Sequence, residues 1–270
     1  MSAVLLRRTF AAGRWRLAVV ALGLALWGFL LPVVYATFGA EFRAAVQDGL
    51  FPGLFDVFSA FGGANVFSLS GSISIGLVHP IPIAMVAVFA IGGPAGAIAG
   101  ERQRGTLEVL LARPISRRRL YATVLATTLS FVVVALSANV AGVVAGAVAS
   151  GVAGELRMDH LALAWLNAVL LFAALAALAL AASASFDRLG PVLGLTLGFT
   201  IVSYAVEFLA AIWPDIAGLR PWSLFAYFQP AEILAGEIEP GDLAVLAVVG
   251  VAAVAFGLWV FPRRDLAAPS

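Results

Sequence analysis

Few side chains in this chain could do chemistry, and the missing types are informative. Of its 270 residues none is cysteine and none is lysine, and all 16 basic residues are arginine. Without a thiol there is no thiolate nucleophile, no disulfide and no cysteine-ligated metal. Without a lysine there is no G-x-x-x-x-G-K-[ST] phosphate loop, no Schiff base and no Ser–Lys dyad. Any ATP used must be hydrolysed by another subunit, so the chain is expected to be no enzyme and to bind no cofactor itself. His79 and His160 stand alone, without H-E-x-x-H or a carboxylate at helical ligand spacing, and no metal site is expected. No nucleophile with a base and no paired acids mark an intramembrane hydrolase or transferase.

Two groups of polar residues remain. The first is Gly100–Arg119, which holds eight of the chain's 31 charges. Gly105 is placed to end one helix in the left-handed C′ position. Thr106 can cap the next, with Glu108 in its first turn favoured by the helix dipole. Leu107, Leu110 and Leu111 fall at i, i+3 and i+4 and give that short helix an apolar face. Pro114 stops it, and Ser116 can cap the third span. The second group is a stripe at helical spacing, Thr196, Thr200, Ser203 and Glu207. Gly190, Gly194 and Gly198 lie roughly opposite it, a small-residue face suited to close helix packing.

The elements that position these groups follow from composition. The chain is 62% hydrophobic and 11% charged, against about 25% charged in soluble domains, and its mean hydropathy is +1.03. Water-soluble surface cannot be built from this, and disorder fails for the opposite reason, an excess of apolar surface. Six stretches have the length of about 20 apolar residues that a bilayer core demands: 17–38, 73–99, 120–150, 161–183, 190–213 and 243–261. The expected fold is therefore an all-α integral membrane protein, one domain over residues 1–270. The apolar run from Leu17 to Phe38 exceeds a signal peptide's h-region, which predicts an uncleaved anchor.

Charge sets the sidedness. Thirteen arginines fall on the side that holds Arg7, Arg8, Arg14, Arg16, the 100–119 loop, Arg188, Arg263 and Arg264, against Arg43, Arg157 and Arg220 opposite. Both termini are expected in the cytoplasm. Leu6, Phe10, Gly13 and Leu17 share a helical face, which predicts an interfacial helix before the first span. The outer segment 39–72 is long and aromatic. The segment 214–242 includes Pro221–Pro230, too short to span, which is either re-entrant or an interfacial aromatic belt. Pro80 and Pro82 shape the entry to the second span. The net charge of +1 predicts no nucleic-acid partner.

The pattern G-E-R-x-x-G-T-L-E-x-L-L-x-x-P-I-S-R, read from Gly100 to Arg117 between the second and third spans, resembles the permease subunits of type-2 ABC exporters. The six-span branch that includes the nitrous-oxide-reductase maturation permease is the most similar. The resemblance implies that Thr106–Leu111 is a coupling helix (Thr106, Leu107, Glu108, Leu110, Leu111) docking on a separate ATP-hydrolysing subunit, which would hold ATP and Mg. Glu101, Arg102 and Gly105 would form the bend that delivers it, and Pro114, Ser116 and Arg117 would start the returning helix. It further implies assembly with a second permease copy or a paralogue, in a prokaryotic cell membrane among its lipids. Arg104 departs from the acidic or lysine residue often found before the glycine.

Glu207 has two readings. With Ser203, Thr200 and Asn139 it could line a translocation path or moving interface, or it could make an interhelical hydrogen bond to Asn139 or Asn167 or snorkel to the outer surface. A stand-alone secondary transporter or channel would need Glu207 as its handle, since intramembrane charges are otherwise scarce.

Overall fold

The computed structural model describes residues 3–47, 67–112 and 115–264. Among these residues every regular element is helical. Six helices are long and apolar enough to cross a membrane: α1 (Ala3–Gln47), α3 (Pro80–Gln103), α5 (Arg117–Ala149), α6 (Met158–Ser185), α7 (Leu189–Ile212) and α9 (Pro240–Arg263). Three short helices join them: α2 (Leu69–Val78), α4 (Leu107–Leu111) and α8 (Pro230–Ala235). Arg102, Arg117, Asp187 and Arg264 meet at one end of the bundle, here termed the basic end.

The ends of these helices have local causes. Ser116 caps α5, its Oγ accepting from the Arg119 N–H at 3.3 Å, as the sequence predicts. At the second span the chain breaks instead of running through 73–99. His79 is extended (φ −64°, ψ 140°) because Pro80 follows it, and its Nδ1 accepts from Ile81 N–H at 3.3 Å. The apolar stretch is thus divided between α2 and α3. Two wide π-helical turns, Val88–Gly92 and Gly96–Gly100, interrupt α3 in its glycine-rich half.

The N-terminus corrects the expectation of a separate interfacial helix. Ala3–Gln47 is one helix of 45 residues, about 68 Å long at 1.5 Å per residue, and more than twice the hydrocarbon core of about 30 Å. No breaker stands between Leu6 and Leu17. Gly13, the weak helix former there, is used for packing: a Cβ on it would come within 2.8 Å of the Phe131 ring. Phe10 meets the same ring edge-on at 4.7 Å.

The α1–α5 seam sets how far α1 slides along the bundle. A Cβ on Gly142 would fall 2.0 Å from the Ala25 carbonyl oxygen, on Gly146 2.3 Å from that of Phe29, and on Gly28 2.2 Å from that of Asn139. The two backbones touch through a G-x-x-x-G pair, Gly142 and Gly146, which permits close approach. This register has a consequence for charge. Phe131 lies fourteen residues into α5, about 21 Å from its start, and Gly13 is level with it. Arg14 and Arg16 therefore stand near mid-height of the bundle, not in the basic belt at its end.

The core gathers Leu24 of α1, Val86 of α3, Val132 of α5, Leu171 of α6 and Leu246 of α9. It also takes in Leu224, Phe225 and Phe228 from the segment after α7. The 3₁₀ turns of Pro214–Trp222 expose Leu219 and Trp222, whereas 223–234 turns into the bundle.

Candidate coupling loop and polar residues of the bundle

The predicted loop is a rigid turn followed by a short helix. Gly105 has φ +71°, the left-handed region a side chain disfavours. Its N–H donates to the Arg102 carbonyl at 2.9 Å, and the Thr106 N–H donates to that of Glu101 at 2.9 Å. These paired 5→2 and 6→1 bonds are a Schellman motif, which satisfies the last carbonyls of α3. Thr106 does not cap α4, contrary to the sequence expectation. Its hydroxyl turns back to the Glu101 carbonyl at 3.1 Å and to the Glu101 carboxylate. The Schellman turn leaves Thr106 with φ −95° and ψ −14°, outside the extended conformation an N-cap adopts. Arg104 closes the turn by pairing with Glu101.

The leucines are covered by the chain itself. Leu107 is 1% exposed, packed among Ile98, Leu120, Tyr121, Leu180 and Phe261. Leu110 and Leu111 are half-buried beside the same cluster. The face that α4 leaves open is Glu108, Val109 and Ala112, with Val109 69% exposed. Of the covers the leucine stripe could have, lipid headgroups, the protein itself or a partner, the structure gives the second. The stripe is the anchor, and the side opposite is free. Pro114 lies outside the described residues.

The turn is also tied to the rest of the basic end, and three of the residues involved, Gln103, Asp187 and Arg264, were not among the coupling residues the sequence pointed to. Arg102 Nη1 is 2.7 Å from Asp187 Oδ1, and Arg264 Nη2 is 2.6 Å from the same oxygen. Asp187 lies between α6 and α7, and Arg264 follows α9. Gln103 Oε1 accepts from the Leu189 N–H at 2.9 Å, which satisfies one free donor at the start of α7. Arg117 Nη1 donates to the carbonyls of Phe261, Pro262 and Arg264 at 3.3, 3.3 and 2.6 Å, a cation at a helix C-terminus where the dipole favours it. Glu101, Arg102, Leu107 and Arg117 are thus assembled in one place with the ends of five spans, α3, α5, α6, α7 and α9.

Glu207 sits elsewhere, toward the opposite end, and its partner is Arg220. The pair is bidentate, Nη2–Oε1 at 2.6 Å and Nε–Oε2 at 3.1 Å. This hydrogen bond holds the Arg220 guanidinium above its ordinary pKa, outweighing the opposing effect of burial. The pair folds the 3₁₀ turns back onto α7. Ser203 is buried, and its carbonyl accepts from Ser223 Oγ at 2.8 Å. Thr196 and Thr200 donate to carbonyls four residues back on their own helix, each at 2.7 Å.

Asn139 does not join Glu207. It is 2% exposed in the α1–α5 seam, where its Nδ2 donates to the Leu24 carbonyl at 3.1 Å. Asn167 binds the re-entering chain instead, donating to the Tyr227 carbonyl at 2.9 Å and accepting from the Gln229 N–H at 3.1 Å. The predicted glycine face of Gly190, Gly194 and Gly198 meets nothing within 4 Å of an added Cβ. Close packing is carried by Gly28, Gly142 and Gly146.

Six apolar spans and a basic-end elbow that leads into a short helix define a multi-pass membrane protein. A family model described as ABC-2 family transporter protein matches residues 12–266. The chain belongs to that family and is an ABC transporter permease. No curated protein matches it.

Proposed function

We propose that the chain is the membrane subunit of an ATP-driven exporter and that a separate ATPase docks on α4. The observation that carries this reading is the anchored elbow. Leu107 fixes α4 to the bundle, and Arg102, Asp187 and Arg264 tie the preceding turn to α6, α7 and α9. Force applied to Glu108 and Val109 would therefore reach several spans at once. The ATPase subunit supplies ATP and Mg, the basic end faces the cytoplasm of a prokaryotic cell, and a second permease copy or paralogue completes the assembly.

The rival reading, a stand-alone secondary transporter or channel working through Glu207, loses support because that carboxylate is held by Arg220. The test is affinity purification of the tagged chain from its native membranes in mild detergent. A stoichiometric subunit with a P-loop should accompany the wild type and be lost with Val109→Asp. Purification of the chain without such a subunit would contradict the reading.

A further inference from the structure

A cavity of about 650 Å³ lies between α1, α3 and α5. It runs from Glu101, Arg104 and Leu110 at the basic end to Val88, Phe89 and Phe131 near mid-height. That volume falls within the range of about 300–1,000 Å³ typical of ligand sites. The wall is open because of glycine: a Cβ on Gly92 or Gly96 would meet nothing within 4 Å. Both residues lie in the π-helical turns of α3, a feature frequent at functional sites.

The cavity's charge is carried by Arg16. Arg104 and Glu101 pair with each other, whereas Arg16 has no acidic partner among the described residues. The α1–α5 register holds it near the middle of the bundle, where a cation on a membrane helix is costly and marks a ligand or pathway. Thr127 and Thr128, both buried, add hydroxyls to the same wall. The remaining wall is largely apolar.

We propose that this cavity binds an amphiphilic organic anion, its carboxylate, phosphate or sulfonate facing the Arg16 guanidinium and its apolar body lying along the glycine-lined wall of α3. The proposal rests on the permease reading and names its substrate class. Because Glu101, Arg104 and Leu110 form the other end of the cavity, a bound molecule also touches the turn that carries α4.

The test uses the purified full chain in phosphatidylcholine nanodiscs, without any ATPase. The probes are dansylaminoundecanoic acid and its uncharged methyl ester, followed by tryptophan-to-dansyl energy transfer. The acid should bind about tenfold tighter than the ester, the effect of roughly one charge-assisted hydrogen bond. Arg16→Gln should abolish that preference while leaving ester affinity in place, and Arg16→Lys should keep most of it. Gly96→Leu, at a position with room for a side chain, should weaken both probes. Equal binding of acid and ester by the wild type, or a preference that survives Arg16→Gln, would overturn the proposal. Arg16 and Gly96 lie outside α4, so failure of ATPase docking would leave this binding intact, and the two readings fail separately.

Discussion

Arg102 of α3 and Asp187, 85 positions apart in sequence, approach to 2.7 Å at the basic end, and Arg264 reaches the same carboxylate oxygen. One acid thereby joins the elbow before α4 to the ends of α6 and α9. With Asp187 half exposed, each pair contributes little to stability, about 0–1 kcal/mol. Its effect should lie in transmission. Asp187→Asn removes both pairs and is expected to shift the thermal midpoint by no more than about 8 °C while reducing substrate transport per ATP hydrolysed. Transport and ATPase assays on the reconstituted complex would measure this, and an unchanged ratio would remove Asp187 from the coupling account.

Gly105 is held at φ +71° by two backbone bonds. Gly105→Ala should cost about 1–2 kcal/mol, the left-handed penalty for a side chain, and Gly105→Asn should cost less. Gly105→Pro also removes the donor to Arg102 and should detach the ATPase while the chain still inserts. Thermal unfolding in detergent and co-purification separate these effects.

Two glycine sets make opposite predictions. Gly142→Ala forces a Cβ to 2.0 Å from the Ala25 carbonyl oxygen, and overpacking of this kind costs about 1–3 kcal/mol or more. Gly194→Ala meets open space and should stay within about 0.5 kcal/mol. Fluorescence-detected size-exclusion after heating would rank the two. A larger loss at Gly194 would show that the α1–α5 seam is misassigned.

Much of this was legible in the sequence. Span number and type follow from composition, because no soluble fold tolerates so little charge. The elbow glycine and the Ser116 cap follow from local backbone chemistry. Long-range partners were not legible. Gly190, Gly194 and Gly198 look like a packing face as much as Gly142 and Gly146 do, and only the helix opposite decides between them. Asn139 and Glu207 share only their polarity: one serves the α1–α5 seam and the other the Pro214–Trp222 turns. Thr106 has the composition of a cap, but the Schellman turn before it dictates its backbone angles and sends its hydroxyl back to Glu101. The height of Arg16 depends on that same seam, so no count of charges along the chain could place it.

The Glu207–Arg220 pair should act as a clasp on the Pro214–Trp222 turns. Glu207→Gln leaves the guanidinium half-partnered, and hydrogen exchange in those turns should rise by an order of magnitude or more. Such bidentate, partly desolvated pairs give coupling energies of about 0.5–3 kcal/mol in double-mutant cycles. The cycle with Arg220→Gln should recover a value in that range. Unchanged exchange in Glu207→Gln would instead show that other contacts hold those turns, such as the Tyr227 hydroxyl donating to the Pro221 carbonyl at 2.9 Å.

The most direct measurement exploits the absence of native cysteine. Val109→Cys, introduced alone and labelled with a short photo-crosslinker in native membranes, reports what touches the open face of α4. The account predicts a covalent adduct with a P-loop ATPase subunit, with a yield that changes on addition of ATP. The same label at Trp222→Cys, beyond the far end of the bundle, should give none. Failure to capture an ATPase from Val109, with the label present and the chain folded, would contradict the assignment of α4 as the docking helix.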